Sequence, residues 1–229
     1  MCLVSQTRET REIDSFKQLI KTESSAKRQA YLNDKLAREY LDVHDSLEKY
    51  ARISLTFSEK DKLYEYQVDA WNTLGISSRK TGNFQQALEY HFRAVKIAEA
   101  HKLSSHYFYT TYSTLSLAYS EQGNYTPAIE YGYKSLHATE VEKDTLNMAI
   151  VNNNLANIFF EVNNYDKALL HYKKALDIAT QLGNTYGQAL ITSNIGSVYY
   201  QSGKLDSAKS YFDKSLVIDE QIEDISGAA

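Results

Sequence analysis

The chain has 229 residues, a net charge of −4 and a pI near 5.9, a balance that argues against a general nucleic-acid surface, which needs clustered Lys and Arg. One cysteine, Cys2, excludes an internal disulfide framework and a multi-cysteine metal site, and no run of about 18 apolar residues exists to span a membrane. Nine glycines and one proline disfavour an all-β chain with many tight turns. The opening MCLVSQTRETRE has no apolar stretch of the kind a signal peptide carries, and the compartment stays open between the cytoplasm by default and, for part of a processed sensor, the periplasm.

From the N-terminus, Ile13, Phe16, Leu19 and Ile20 fall at helical spacing and predict an amphipathic capping helix over 8–24. An array of stacked units needs such a cover for its first apolar face. Residues 28–60 form a degenerate helix pair: Leu36, Ala37 and Tyr40 on the first helix, a break at Asp42–Asp45 with Asp45 as a candidate cap, then Ser46-Leu47 on the second. Matching it to later pairs requires an inter-helix turn about three residues shorter. The first clear unit is 63–102, with helices near 63–81 and 84–101 and a turn at Thr81-Gly82-Asn83. The second is 104–142, turning at Gly123-Asn124, with Pro127 in the first helical turn, where its missing N–H costs nothing. The third and fourth are 145–183 and 185–222. Asn163 stands in the third turn where the others have Gly, and it tolerates a positive φ better than most side chains. Ala149, Ala189 and Ala229 are each 40 apart, so residues 225–229 read as the start of a further unit, and the chain as a piece of a longer array or protein.

The period is the main signal. Leu155, Ala156, Phe159, Tyr165 and Ala168 recur 40 residues later as Ile195, Gly196, Tyr199, Leu205 and Ala208. They recur 40 earlier as Leu115, Ser116, Tyr119, Tyr125 and Ala128, and once more as Leu74, Gly75, Ser78, Phe84 and Ala87. Small residues at fixed positions let two antiparallel helices approach, and the large ones fill the gaps between them. The fold class this implies is all-α, built of stacked helix hairpins.

The columns resemble the tetratricopeptide repeat, whose pattern is W-x-x-L-G-x-x-Y, then Gly and Tyr, then A-x-x-x-F-x-x-A. Trp71, Leu74, Gly75, Gly82, Phe84, Ala87 and Ala94 match it, as do Ile195, Gly196, Tyr199, Gly203, Leu205, Ala208 and Ser215. The resemblance covers about residues 28–222. It departs in its period, 40 instead of the usual 34, and in the missing proline after the second helix, both of which imply longer helices. It implies a right-handed α–α superhelix. Repeats of this length are similar to those of bacterial peptide-responsive regulators of the Rap type, kinesin light chain and bacterial sensor arrays of the Bacteroidetes kind.

Catalytic chemistry finds no foothold in the sequence. The six histidines, 44, 91, 101, 106, 137 and 171, form no H-E-x-x-H pair, and there is no Gly-rich phosphate loop or G-x-S-x-G elbow. No catalytic residue, metal site or cofactor is expected. The resemblance places first helices on a concave face, and matching positions gives as candidate binding residues Asn72, Arg79, Asn153, Asn154, Asn157, Phe160, Asn194 and Tyr200. An Asn amide carries both donor and acceptor and can grip an extended backbone whatever its side chains. The expectation is a non-catalytic module that binds a protein or peptide segment, as sensor or scaffold of a bacterial signalling protein, without nucleic acid and without membrane insertion. Two alternatives stand beside it: a Rap-type regulator acting on a response regulator, and a homo-oligomer formed through the C-terminal edge.

Overall fold

The computed structural model describes the backbone of residues 2–227 and the side chains of 11–222. Over these residues the chain is helical throughout, with no strand: α1 (Cys2–Thr22), α2 (Ala26–Glu39), α3 (His44–Lys60), α4 (Tyr64–Lys80), α5 (Phe84–Ala100), α6 (Ser105–Glu121), α7 (Tyr125–Glu142), α8 (Thr145–Glu161), α9 (Tyr165–Gln181), α10 (Thr185–Gln201) and α11 (Leu205–Gly227). It divides into two compact units, α1 to α6 with Gln122, and α7 to α11.

In the first unit α1 lies on α2, α2 pairs with α3 and α4 with α5, and α6 packs on both α4 and α5. Gln29 ties α1 to α2 by donating through Nε2 to the carbonyls of Ile20 and Glu23, each at 2.8 Å, which satisfies the end of α1. In the second unit α8 pairs with α9 and α10 with α11, while α7 packs on α8. Its core runs through Leu155, Ala156, Phe159, Ala168, Ile195 and Val198. The conserved period is visible as burial: Leu74, Leu115, Leu155 and Ile195 are all within 1% of fully buried, and Ala87, Ala128, Ala168 and Ala208 within 2%.

From α3 to α10 the helices end in one way. Positive φ occurs at Lys62, Gly82, Lys102, Gly123, Lys143, Asn163, Gly183 and Gly203, every 20 or 21 residues. At Gly82 the N–H bonds back to Arg79 O and the next N–H, Asn83, to Ser78 O; Lys102 with Leu103, Lys143 with Asp144, and Gly203 with Lys204 repeat the pattern. This is a left-handed closure that satisfies the last carbonyls of the helix. The following residue then often caps the next helix: Asn83 accepts from Gln86 N, Asn164 from Lys167 N and Asn184 from Gly187 N. The long repeat is therefore two 17-residue helices, each followed by three linking residues, as in α8 and α9.

The degenerate pair differs from the sequence expectation. Its three missing residues come off the helix and not the turn: α2 has 14 residues against 17 in α4. The break is at 40–43 and lacks the positive-φ closure. Asp45 sits inside the first turn of α3 and does not cap it; Val43 is the cap residue and makes no side-chain cap bond. At the other end, α11 continues to Gly227, and Ala229, the last residue of the expected further unit, lies outside the described residues.

Candidate interaction face

The first helices of the third and fourth repeats each carry a stripe of exposed and half-buried side chains. On α8 the stripe is Leu146, Ile150, Asn153, Asn157 and Phe160; on α10 it is Tyr186, Leu190, Ser193, Ser197 and Tyr200, each 40 residues on. The two stripes adjoin, because Asn194 Nδ2 on α10 donates to Asn153 Oδ1 on α8 at 3.4 Å. The centre is amide and hydroxyl. One end is apolar and open, with Leu146 51%, Ile150 46%, Tyr186 73% and Leu190 48% exposed. At the other end Tyr200 is exposed, while Phe160 is half-buried against Tyr165. No charged residue belongs to either stripe.

Of the sequence candidates, Asn153, Asn157, Phe160, Asn194 and Tyr200 stand on this one face of the second unit, while Asn154 is half-buried on α8 outside the stripe. Asn157 is oriented from below: the buried Tyr172 of α9 donates its hydroxyl to Asn157 Oδ1. Burial, with Glu161 nearby, holds that phenol well above the ordinary tyrosine range, so it stays protonated and remains a donor. The quartet Leu146, Ile150, Tyr186 and Leu190 escaped sequence reasoning. Its counterparts on α4 and α6 are Glu65, Asp69, His106 and Thr110, so no repeating column marks it.

Asn72 and Arg79 belong to the first unit. Asn72 is a correction: it is 3% exposed, donates to Thr111 Oγ1 of α6 at 2.8 Å, and accepts from His91 through Oδ1 at 3.2 Å. The close approach of α6 to α4 turns this position inward, so its hydrogen bonds are spent inside. Arg79 is half-buried and paired with Glu121 of α6. The stripe of α4 carries charge, at Glu65, Asp69 and Arg79. Arg38 bridges Asp34 at 3.0 Å and Asp69 at 3.4 Å, and Asp69 is pushed up to about 6 by burial and by Asp34, against the pull of Arg38 and Lys35.

His91 and His171 serve packing. His91 is fully buried, and burial followed by the charge of Arg79 lowers it to about 3. His171, held between Asn152 Oδ1 at 2.9 Å and Tyr133 Oη at 3.1 Å and stacked on Phe159, is lowered to about 4 by burial, then by Lys174 and Lys167. Among the described residues no group of three or more His, Cys, Asp or Glu is placed to hold a metal ion, and no helix is long and apolar enough to cross a membrane.

Comparison with solved structures agrees with the helix-hairpin architecture. The chain is similar to BtubC (BKLC) from P. vanneervenii, with a TM-score of 0.77 at 19% identity over 94% of this chain and 92% of that one. It is similar to aspartyl phosphate phosphatase F from Bacillus subtilis, 0.71 at 14% identity over 93% and 68%. It is also similar to a signal-transduction ATPase with numerous domains, a protein with a tetratricopeptide repeat sensor, from Pyrococcus horikoshii, 0.67 at 19% identity over 95% of this chain and 38% of that one. At these identities the likeness concerns the fold alone. No curated protein matches the sequence. The family model described as tetratricopeptide repeat matches residues 66–140 and again 147–221, which is more than half of the chain. With its period, its hairpins and its small-residue columns accounted for, the chain belongs to the tetratricopeptide repeat family.

Proposed function

We propose that the chain is a non-catalytic protein-interaction module that binds an extended segment of a protein or peptide across α8 and α10, as the sensor or scaffold part of a signalling protein. The observation that carries this reading is the uncharged stripe pair of the second unit: an amide and hydroxyl centre between four exposed apolar side chains and Tyr200. Such a surface offers backbone hydrogen bonds at its centre and apolar contact at its ends. The similarity to a signal-transduction ATPase with a tetratricopeptide repeat sensor supports the sensor role. The test is capture of partners by the full chain and by Asn157→Ala with Asn194→Ala. Each lost neutral hydrogen bond weakens binding by about two- to tenfold. A partner held equally well by both forms sinks the reading.

A second reading rests on the likeness to aspartyl phosphate phosphatase F and to RapI: a regulator acting on a response regulator. Loss of label from phosphorylated response regulators in the presence of the chain supports it, and unchanged label removes it. Association between copies is a third route to the same class of function. On α11 Leu216 is 59% and Val217 52% exposed, and light scattering at several concentrations decides it.

A further inference from the structure

A buried phenol has one proton to place. Tyr172 is 3% exposed on α9, behind the interaction face, and its hydroxyl donates to Asn157 Oδ1 on α8. A flipped amide would set Nδ2 against the phenol and leave that proton without an acceptor, a costly arrangement in a buried site. The Asn157 amide is thus held one way round, with Nδ2 facing outward. An asparagine that could present either end is thereby made one-sided.

We propose that Tyr172 is a positioning residue that fixes the polarity of Asn157, so that α8 presents an N–H donor there and reads a carbonyl oxygen of the bound segment. The ligand class is a segment in extended conformation whose carbonyl lies over Asn157. This rests on the reading of the stripe pair as a binding face. Tyr172 never touches the segment. It acts through Asn157, and the same position on α5, His91, takes no part in such an arrangement because its partner Asn72 is buried.

The test begins with a linear random dodecapeptide library displayed on phage and selected on the immobilised full chain. An enriched peptide is synthesised and measured against the wild type and Tyr172→Phe. Freeing the amide is expected to weaken binding by about three- to tenfold with the melting temperature nearly unchanged. Thioamide replacement, one peptide bond at a time, is expected to find one bond whose weakened acceptor lowers affinity for the wild type, not for Asn157→Ala, and less for Tyr172→Phe, a coupling to Tyr172 that a purely structural role does not produce. Asn157→Asp is the second variant, used if Tyr172→Phe does not fold. Its carboxylate still accepts from Tyr172 and turns only an acceptor outward, so the peptide should be lost. A peptide that binds wild type, Tyr172→Phe and Asn157→Asp alike overturns this inference and leaves the binding face standing. If no peptide enriches, or the enriched ones ignore both the Asn157→Ala/Asn194→Ala and Tyr186→Ala/Leu190→Ala pairs, the binding face itself is overturned.

Discussion

His91 on α5 shares its Nδ1 proton between Asn72 Oδ1, 3.2 Å away on α4, and Thr114 Oγ1 at 3.1 Å on α6. Thr114's own proton is committed to backbone oxygens of α6, so it accepts here. The imidazole is neutral, and a second proton on Nε2 would place a charge in a sealed interior. Because the folded-state value of His91 lies near 3 and that of His171 near 4, both below an ordinary histidine, stability is full above about pH 6.5 and is lost as pH falls below it. By pH 5 each should have cost about 2 kcal/mol. Asp69 works in the opposite sense: raised to about 6, it is a burden when ionised, relieved as pH drops from 6 toward 4. Urea unfolding from pH 7.5 to 5 should show a net loss. Asp69→Asn should be more stable than wild type near neutrality and should lose stability more steeply. A flat profile in both removes the argument.

Gly75 lies directly under the His91 ring, and a Cβ added there would overlap the imidazole. The ring is buried and hydrogen-bonded and cannot swing clear. Gly75→Ala should therefore cost about 1–3 kcal/mol although alanine is the better helix former. Thermal unfolding decides it, and a melting temperature equal to or above wild type would show that the hairpin can open.

Lys62, Lys102 and Lys143 occupy the left-handed closures where other turns use Gly. A side chain with a Cβ is strained there by about 1 kcal/mol, and an exposed lysine gives little in return. Lys143→Gly should raise stability by roughly 0.5–1 kcal/mol, whereas Gly82→Ala, at φ +78°, should lower it by a similar amount. Denaturant midpoints of the two variants should move in opposite directions.

Asn164 caps α9 by accepting from Lys167 N at 3.2 Å. Asn164→Ala should cost about 1 kcal/mol without touching the interaction face, which makes it the control for binding experiments. Tyr186→Ala with Leu190→Ala should behave in the reverse way, leaving the melting temperature near wild type and weakening any partner held on the stripe.

The fold class was legible because the constraint that creates it is repeated. A small residue is needed wherever two helices cross, so Gly75, Ser116, Ala156 and Gly196 fall in one column, and the column is visible without coordinates. The face was legible only in part. A helix turns about 100° per residue, so spacing assigns a side chain to a face with an uncertainty of nearly one position. At Asn72 that margin, with α6 drawn close to α4, separates an open amide from a buried one. The apolar quartet of α8 and α10 was not legible for the opposite reason: binding surfaces differ between copies, and a search for what recurs passes over what does not. The positive φ at Lys62, Lys102 and Lys143 was also hidden, because the closure is set by backbone hydrogen bonds and accepts a lysine at modest cost.

The identical closures have a consequence for how the array carries information. A punctuation mark that is the same after every phrase says nothing about which phrase comes next. The chain leaves α4 and α5 by the same pair of backbone bonds, through Gly82 in one case and Lys102 in the other. Whether a helix is the first or the second of its hairpin is therefore not encoded in its turns. It is written in side-chain volume alone, in columns such as Gly75 and Ala87, and the remaining positions are left free to diverge from copy to copy as an alphabet for recognition.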